Sequence, residues 1–492
     1  MRQHLPILQV IIPLLSAPLC LLLNKPRVAW ALSLIASWLA LIIAIALLQQ
    51  VLSTGTLPYE LGGWAAPWGI EYRLDPVNAF VLVIVAGIGS VVMPFAATSV
   101  VHEITVERRV LFYTAYLLCL AGLLGIAITG DAFNLFVFLE ISSLSSYILI
   151  SLGNNRRALT ASYQYLIMGT IGATFILIGI GFLYIMTGTL NMLDLGQRIP
   201  AVADTRTIRV AFAFLTVGIS VKLALFPLHL WLPNAYTYAP SVVTAFLAAT
   251  ATKVAIYMLL RFLFTVFGTE MSFEAMYLRS VLLPLALVAV FSASIVAIYQ
   301  DNLKRMLAYS SVAQIGYMIL GISFASVTGL TAGILHLFNH ALMKGALFLA
   351  LGCVVHQLGS ARVADVAGLG RRMPWTFAAI VIGGLSMIGV PLTVGFISKW
   401  YLVLAALQSG MWWVAVLVLI GSLLALVYMW RVVEAAFFQP APKGAPQHQE
   451  APLSMLIPTW VLIGANVYFG IDTELTVGVA QRAAAWLLGG GV

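Results

Sequence analysis

Charge is what this sequence has least of. Only 9% of its 492 residues are Asp, Glu, Lys or Arg, against 62% that are hydrophobic, and the mean hydropathy is +1.03. So little charge excludes an ordinary soluble globular class and a single anchored domain, and no polar stretch is long enough to make a separate soluble domain. Cysteine is nearly absent too. Cys20, Cys119 and Cys353 lie far apart in apolar runs and are odd in number, so neither a disulfide framework nor a metal site follows from them. There is no glycine-rich phosphate loop after a strand, no Cys/His cluster and no nucleophile elbow. The chain therefore offers no place for a nucleotide, flavin, iron–sulfur cluster or metal, and no covalent chemistry. No cofactor is expected and no enzymatic reaction of its own. What remains is work done with protons, ions and water.

What the sequence has in abundance is apolar runs long enough to cross ~30 Å of hydrocarbon, about fourteen of them. The expected spans are 6–23, 29–52, 77–98, 110–129, 133–152, 162–187, 208–232, 240–263, 280–299, 306–324, 328–357, 376–404, 411–438 and 453–470. The first lacks a small-residue cleavage pattern and is read as a helix rather than a removed signal. The expected fold is an all-α polytopic membrane protein.

The net charge of +8 invites a nucleic-acid reading, but its distribution rejects it. Lys25, Arg27, Arg108, Arg109, Arg156, Arg157, Lys304, Arg305, Arg362, Arg371, Arg372 and Lys443 fall in loops on one side. Glu60, Glu71, Asp75, Asp131, Asp194, Asp204, Glu270 and Glu274 fall on the other. This asymmetry sets the basic loops inside and both termini outside.

Two blocks of the chain look alike. Residues 1–109 form three leading helices, 110–263 a first five-helix repeat, 280–438 a second, and 439–492 a linker, the last span and a C-terminal tail. Each repeat carries an interruption. The first lies in Val221-Lys222-Leu-Ala-Leu-Phe-Pro227, with Pro233 beyond it, and the second at Gly389-Val390-Pro391. Proline removes a helical donor and clashes with the preceding turn. Paired interruptions in two halves point to a transport site, whereas ordinary proline kinking is the plain alternative. Five spans per block is odd, so the two repeats are expected to be inverted in the membrane.

Against this background Glu140, Lys222, Lys253, Lys344 and Lys399 stand inside apolar segments. An ionised side chain at mid-bilayer depth costs ~2.5–3.5 kcal/mol on insertion scales, so such residues mark a proton or ion path unless they merely hold helices together through backbone carbonyls. Glu140 shares a helix face with Ser143 and Tyr147. A carboxylate and an ammonium that meet in low dielectric stabilise each other's charges, so Glu140 with Lys222 reads as a switchable pair. His336, His340 and Lys344 recur every four residues and line one stripe of one helix. Histidine relays protons in either direction near neutrality. His229 lies in the first interruption, where structural and functional roles are evenly balanced.

Five segments resemble the antiporter-like membrane subunits shared by respiratory complex I, membrane-bound hydrogenases and Mrp cation/proton antiporters. They are the Glu140 helix, Lys222-Leu-Ala-Leu-Phe-Pro-Leu-His229-Leu-Trp-Leu-Pro233, Asp301-Asn-Leu-Lys-Arg-Met-Leu-Ala-Tyr-Ser-Ser311, His336-Leu-Phe-Asn-His340-Ala-Leu-Met-Lys344 and Gly389-Val-Pro-Leu-Thr-Val-Gly-Phe-Ile-Ser-Lys399. The resemblance spans roughly residues 70–440. It implies fourteen helices, two inverted five-helix units and a hydrophilic axis in the membrane plane, with Glu140, Lys222, Lys253, His336 or His340 and Lys399 carrying protons. Lys253 in a Thr-Lys-Val context, Leu232-Pro233-Asn234-Ala235, Lys399, and a chain that stops soon after the last span are similar to the D-type member of the Mrp antiporters. That implies sodium/proton antiport in a bacterial or archaeal cytoplasmic membrane, beside small subunits and a larger chain like the A-type Mrp member. A pumping subunit of a redox complex and a non-transporting scaffold remain open as alternatives.

Overall fold

In the computed structural model the chain is described at residues 2–440 and 449–489; Lys443 lies outside them. Among the described residues twelve helices are long and apolar enough to cross a membrane. They are α1 (Leu5–Leu23), α2 (Pro26–Thr54), α3 (Pro76–Glu103), α4 (Arg109–Ile128), α5 (Ala132–Ser151), α6 (Arg157–Thr187), α10 (Ser241–Leu260), α11 (Leu278–Ile298), α12 (Leu303–Ser323), α13 (Val327–Leu358), α16 (Trp412–Val433) and α17 (Leu453–Ile471). Two more crossings are made by split helices, α8 (Arg206–Leu223) with α9 (Trp231–Tyr238) and α14 (Pro374–Ile388) with α15 (Val394–Gln408). The protein is thus a multi-pass helical membrane protein, and among the described residues its twelve long apolar helices and two split ones match the fourteen segments its hydropathy predicts.

The core is built around α13. Every residue from Gly329 to Val354 is buried, and the helix is packed on all sides by α3, α10, α12, α14, α15 and α17. A helix apolar around its whole circumference belongs at the centre of a bundle. α10 is buried almost as completely and lies against α13, so residues 110–263 and 280–438 meet along these two helices.

Both interruptions fall where prolines predict them, and each has a local cause. At the first, Ala224 adopts φ 59 and ends α8. Trp231 Nε1 then donates to the Val221 carbonyl at 3.0 Å, adding to the bond this carbonyl accepts from the Ala224 N–H at 3.2 Å. Pro233 does not contribute to the break: it sits in the first turn of α9, where its missing N–H would be unpaired in any case. At the second, Gly389 takes φ 94 and closes α14. Only glycine enters that region at little cost, and a Cβ there would lie 2.9 Å from Lys399 Cδ.

Several elements escape a hydropathy reading. A hairpin pairs β1 (Leu57–Glu60) with β2 (Glu71–Leu74), and α7 (Met192–Arg198) is too short for a spanning window. α18 (Glu474–Leu487) occupies what reads as a tail, and it packs on α3 and α13. It buries Thr476, Val479, Ala480, Ala483, Ala484 and Leu487, a helical period hidden by its polar outer face. The acidic residues of the hairpin side have structural work. Asp75 caps α3 through the Val77 and Asn78 amides and pairs with buried Arg261. Asp131 caps α5, and Glu71 accepts from Asn191 Nδ2 at 3.0 Å.

Candidate functional site

The predicted residues fall into four groups across the bundle. In the first, α5 presents Glu140 and Ser143, and Lys222 comes from the last turn of α8. Lys222 Nζ donates to Ser143 Oγ at 2.8 Å. Glu140 stands close enough for its charge to act on Lys222, yet the two form no closed ion pair among the described residues, and Glu140 Oε1 is buried without a protein partner. Lys222 is thus held by the hydroxyl of Ser143, one turn along α5 from Glu140. Tyr147, one turn further on, is accommodated by Gly169 of α6, where a Cβ would collide with the tyrosine hydroxyl.

The second group is Lys253 alone, fully buried on α10. Its Nζ donates to the Ala248 carbonyl and, at 3.4 Å, to Thr252 Oγ1. Its charge also reaches Lys344 and His340 across the α10–α13 junction, so this lysine joins the two halves.

The third group is the histidine stripe of α13. His336 and His340 are fully buried, with ring planes 5° apart and centroids 6.1 Å apart. His336 is held at both nitrogens, Nδ1 by Ser398 Oγ at 2.7 Å and Nε2 by Gln314 Oε1 at 3.0 Å. A serine hydroxyl and a glutamine amide can each serve either tautomer of the ring, so both nitrogens are satisfied whichever one carries the proton. Among the described residues neither nitrogen of His340 has a protein hydrogen-bond partner.

The fourth group holds Lys344 and Lys399. Lys344 Nζ donates to Leu307 O at 2.9 Å, to Ser310 Oγ and to Met387 Sδ at 3.4 Å. Lys399 Nζ donates to Met387 O at 3.0 Å, Ile388 O at 2.9 Å and Ser422 Oγ at 2.9 Å. It also stands 4.9 Å from the centre of the Tyr317 ring. The second break and its lysine thus form one unit: the carbonyls released at the end of α14 are capped by the ammonium of α15. His229 lies apart. It stacks on Phe226 at 5.2 Å, its Nδ1 is unpartnered, and among the described residues it bonds to none of these groups.

Ser310, Gln314, Met387, Ser398 and Ser422 were not singled out from sequence. Ser310 and Ser398 lie inside the quoted motifs, and Gln314 is a lone amide in an apolar helix, so those signals were available. Met387 carries none.

A helical membrane bundle with a row of buried amines, imidazoles and one carboxylate is the build of an ion-handling membrane subunit. The chain belongs to the family described as NADH:quinone oxidoreductase/Mrp antiporter, transmembrane, which matches residues 129–425. It is 43% identical to the N-type subunit of NADH-quinone oxidoreductase from Desulforudis audaxviator (strain MP104C), over 99% of this chain and 100% of that one. It is 30% identical to the D-type subunit of the Na(+)/H(+) antiporter from Bacillus subtilis (strain 168), over 98% and 97% respectively. Among solved structures, it matches a chain of the Mrp complex from Dietzia sp. DQ12-45-1b with a TM-score of 0.90 at 25% identity, covering 99% of this chain and 97% of that one. It matches a chain of the membrane-bound sulfane sulfur reductase, an archaeal respiratory complex, with a TM-score of 0.90 at 31% identity, covering 99% and 98%. The protein is an antiporter-like subunit of the kind found in multisubunit membrane complexes.

Proposed function

We propose that this chain translocates protons along the row Glu140, Lys222, Lys253, Lys344, His340, His336 and Lys399, as one membrane subunit of a cation/proton antiporter exchanging protons for sodium. The observation that supports this most directly is the burial of four amines and two imidazoles in one bundle, with only one carboxylate in the row. A set of like charges is poor glue for helices and is retained in lipid for the ions it handles. The blocks 110–263 and 280–438 act as paired units around α10 and α13, each with a split helix that carries or receives a lysine. His229 is left outside the path. The basic loops face the cytoplasm, and both termini face outward. Full-length similarity to the D-type member of a sodium/proton antiporter supports the antiport reading.

The test is cation-dependent proton flux in everted vesicles from an antiporter-deficient strain expressing the whole complex. Lys222→Ala is expected to abolish flux while leaving the complex assembled; unchanged flux per assembled complex would overturn the reading. A second reading keeps the same row but places it in a redox pump, and the 43% identity to a component of a quinone oxidoreductase favours it. Purification separates the two. Small hydrophobic antiporter subunits co-isolate under the first, and flavin or iron–sulfur subunits under the second.

A further inference from the structure

Met387 is the residue that touches both lysines of the second half. It lies in the last turn of α14 and is fully buried. Its sulfur accepts from Lys344 Nζ and from Ser310 Oγ, each at 3.4 Å. Its backbone carbonyl accepts from Lys399 Nζ at 3.0 Å. Each ammonium has three acceptors for its three protons, and Met387 is the member common to both sets. The two contacts differ in chemistry. The carbonyl is a full acceptor, whereas a thioether is a weak acceptor with no proton to give.

A second line joins the same region. His340 stacks on His336, whose Nδ1 meets Ser398 Oγ at 2.7 Å, and Ser398 directly precedes Lys399. Every member of that line has a nitrogen or hydroxyl that can take up one proton and release another. The thioether line has none.

We propose that Met387 is a positioning residue that insulates Lys344 from Lys399. It holds one lysine by its sulfur and the other by its carbonyl, and it denies them direct exchange, so protons between them run through His340, His336 and Ser398. This rests on the proton-row reading above. It assigns an order within the row: Lys344 gives up its sulfur contact more readily than its bonds to Leu307 and Ser310, because the thioether is the weakest of the three acceptors.

The experiment uses the whole complex in everted vesicles and two readouts, coupled flux and passive leak of an imposed pH gradient without exchangeable cation. Met387→Gln places a donor and an acceptor of similar reach between the lysines. Leak is expected to rise about tenfold, as ~1.4 kcal/mol off a barrier gives. Met387→Leu keeps an apolar filler but loses the sulfur, so leak stays low while coupled flux falls severalfold. In the double variant with Lys344→Ala, the leak of Met387→Gln is expected to vanish. A leak-tight Met387→Gln complex, or a leak that survives in the double variant, overturns the proposal. If Met387→Gln does not accumulate, Met387→Ser decides by the same criteria. Normal coupled flux in Lys344→Ala alone is a separate outcome: it removes the row itself from transport, and the role of Met387 with it.

Discussion

The two split helices place a lysine on opposite sides of their breaks. Lys222 ends the half-helix before the first break and reaches away from it, to Ser143 on α5. Lys399 follows the second break and reaches back into it, to the carbonyls of Met387 and Ile388. The first break satisfies its Val221 carbonyl with the Ala224 N–H and the Trp231 indole, and so leaves its lysine free to answer to a carboxylate. The second uses the lysine itself as the cap. An ammonium held by one hydroxyl beside an acid is easily switched. One held by two carbonyls, a hydroxyl and a ring face is part of the scaffold as well as of the row.

The largest effect expected from this contrast is on transport in the first half. Glu140→Gln should abolish proton flux, because it removes the carboxylate whose charge acts on Lys222. Glu140→Asp should retain part of it. Flux measured against complex abundance decides, and wild-type flux per complex in Glu140→Gln would remove the carboxylate from the path.

Stability should respond in the reverse order. Lys399→Met leaves the Met387 and Ile388 carbonyls and the Ser422 hydroxyl without their donor, at ~1–3 kcal/mol for each buried group left unpaired. Among hydrogen-bonded partners in the described residues, Lys222→Met strands only Ser143. The thermal stability of the purified complex should therefore fall further for Lys399→Met, and the contrast between the breaks is wrong if it falls further for Lys222→Met.

The residues that close the two half-helices should respond with opposite signs. Gly389→Ala forces a side chain into φ 94 and against Lys399 Cδ, which should destabilise by ~1–3 kcal/mol. Ala224→Gly relieves a left-handed alanine at φ 59, which costs about 1–2 kcal/mol, and it should be neutral or stabilising. Denaturation midpoints of the two variants check the signs. The smallest effect concerns the hydroxyls. Ser422→Ala removes one of three acceptors of Lys399 and should cost about 0.5–1.5 kcal/mol. Ser143→Ala removes the one acceptor that Lys222 has among the described residues, and flux should drop more for it than for Ser422→Ala.

Much of this was legible beforehand. Crossings can be read because hydrocarbon admits few polar residues, so each span announces itself by composition. The breaks can be read because Pro227 and Pro391 remove backbone donors. Lys222, Lys253, Lys344 and Lys399 stand out because each is a charge in an apolar run. The partners were harder to see. Ser310 and Ser422 look like the many serines that bond their own helix, and Met387 looks like any core filler. α18 escaped because an amphipathic helix lying against a bundle has no spanning hydropathy, and Pro233 misled because a proline in a first turn breaks nothing.

The sequence by itself determined the class of fold, the number of crossings, the places where two helices split and the identity of the buried ionisable residues. Each of those follows from local chemistry: the cost of charge in lipid, the length of an apolar run, the missing N–H of proline. Only the tertiary structure decided how the lysines are held. Ser143 lies 79 residues from Lys222, and Met387 lies 43 from Lys344. Which acceptor meets which ammonium is set by helix packing across the bundle, and a weak thioether and a strong carbonyl on one residue can serve two lysines only once three helices have come together.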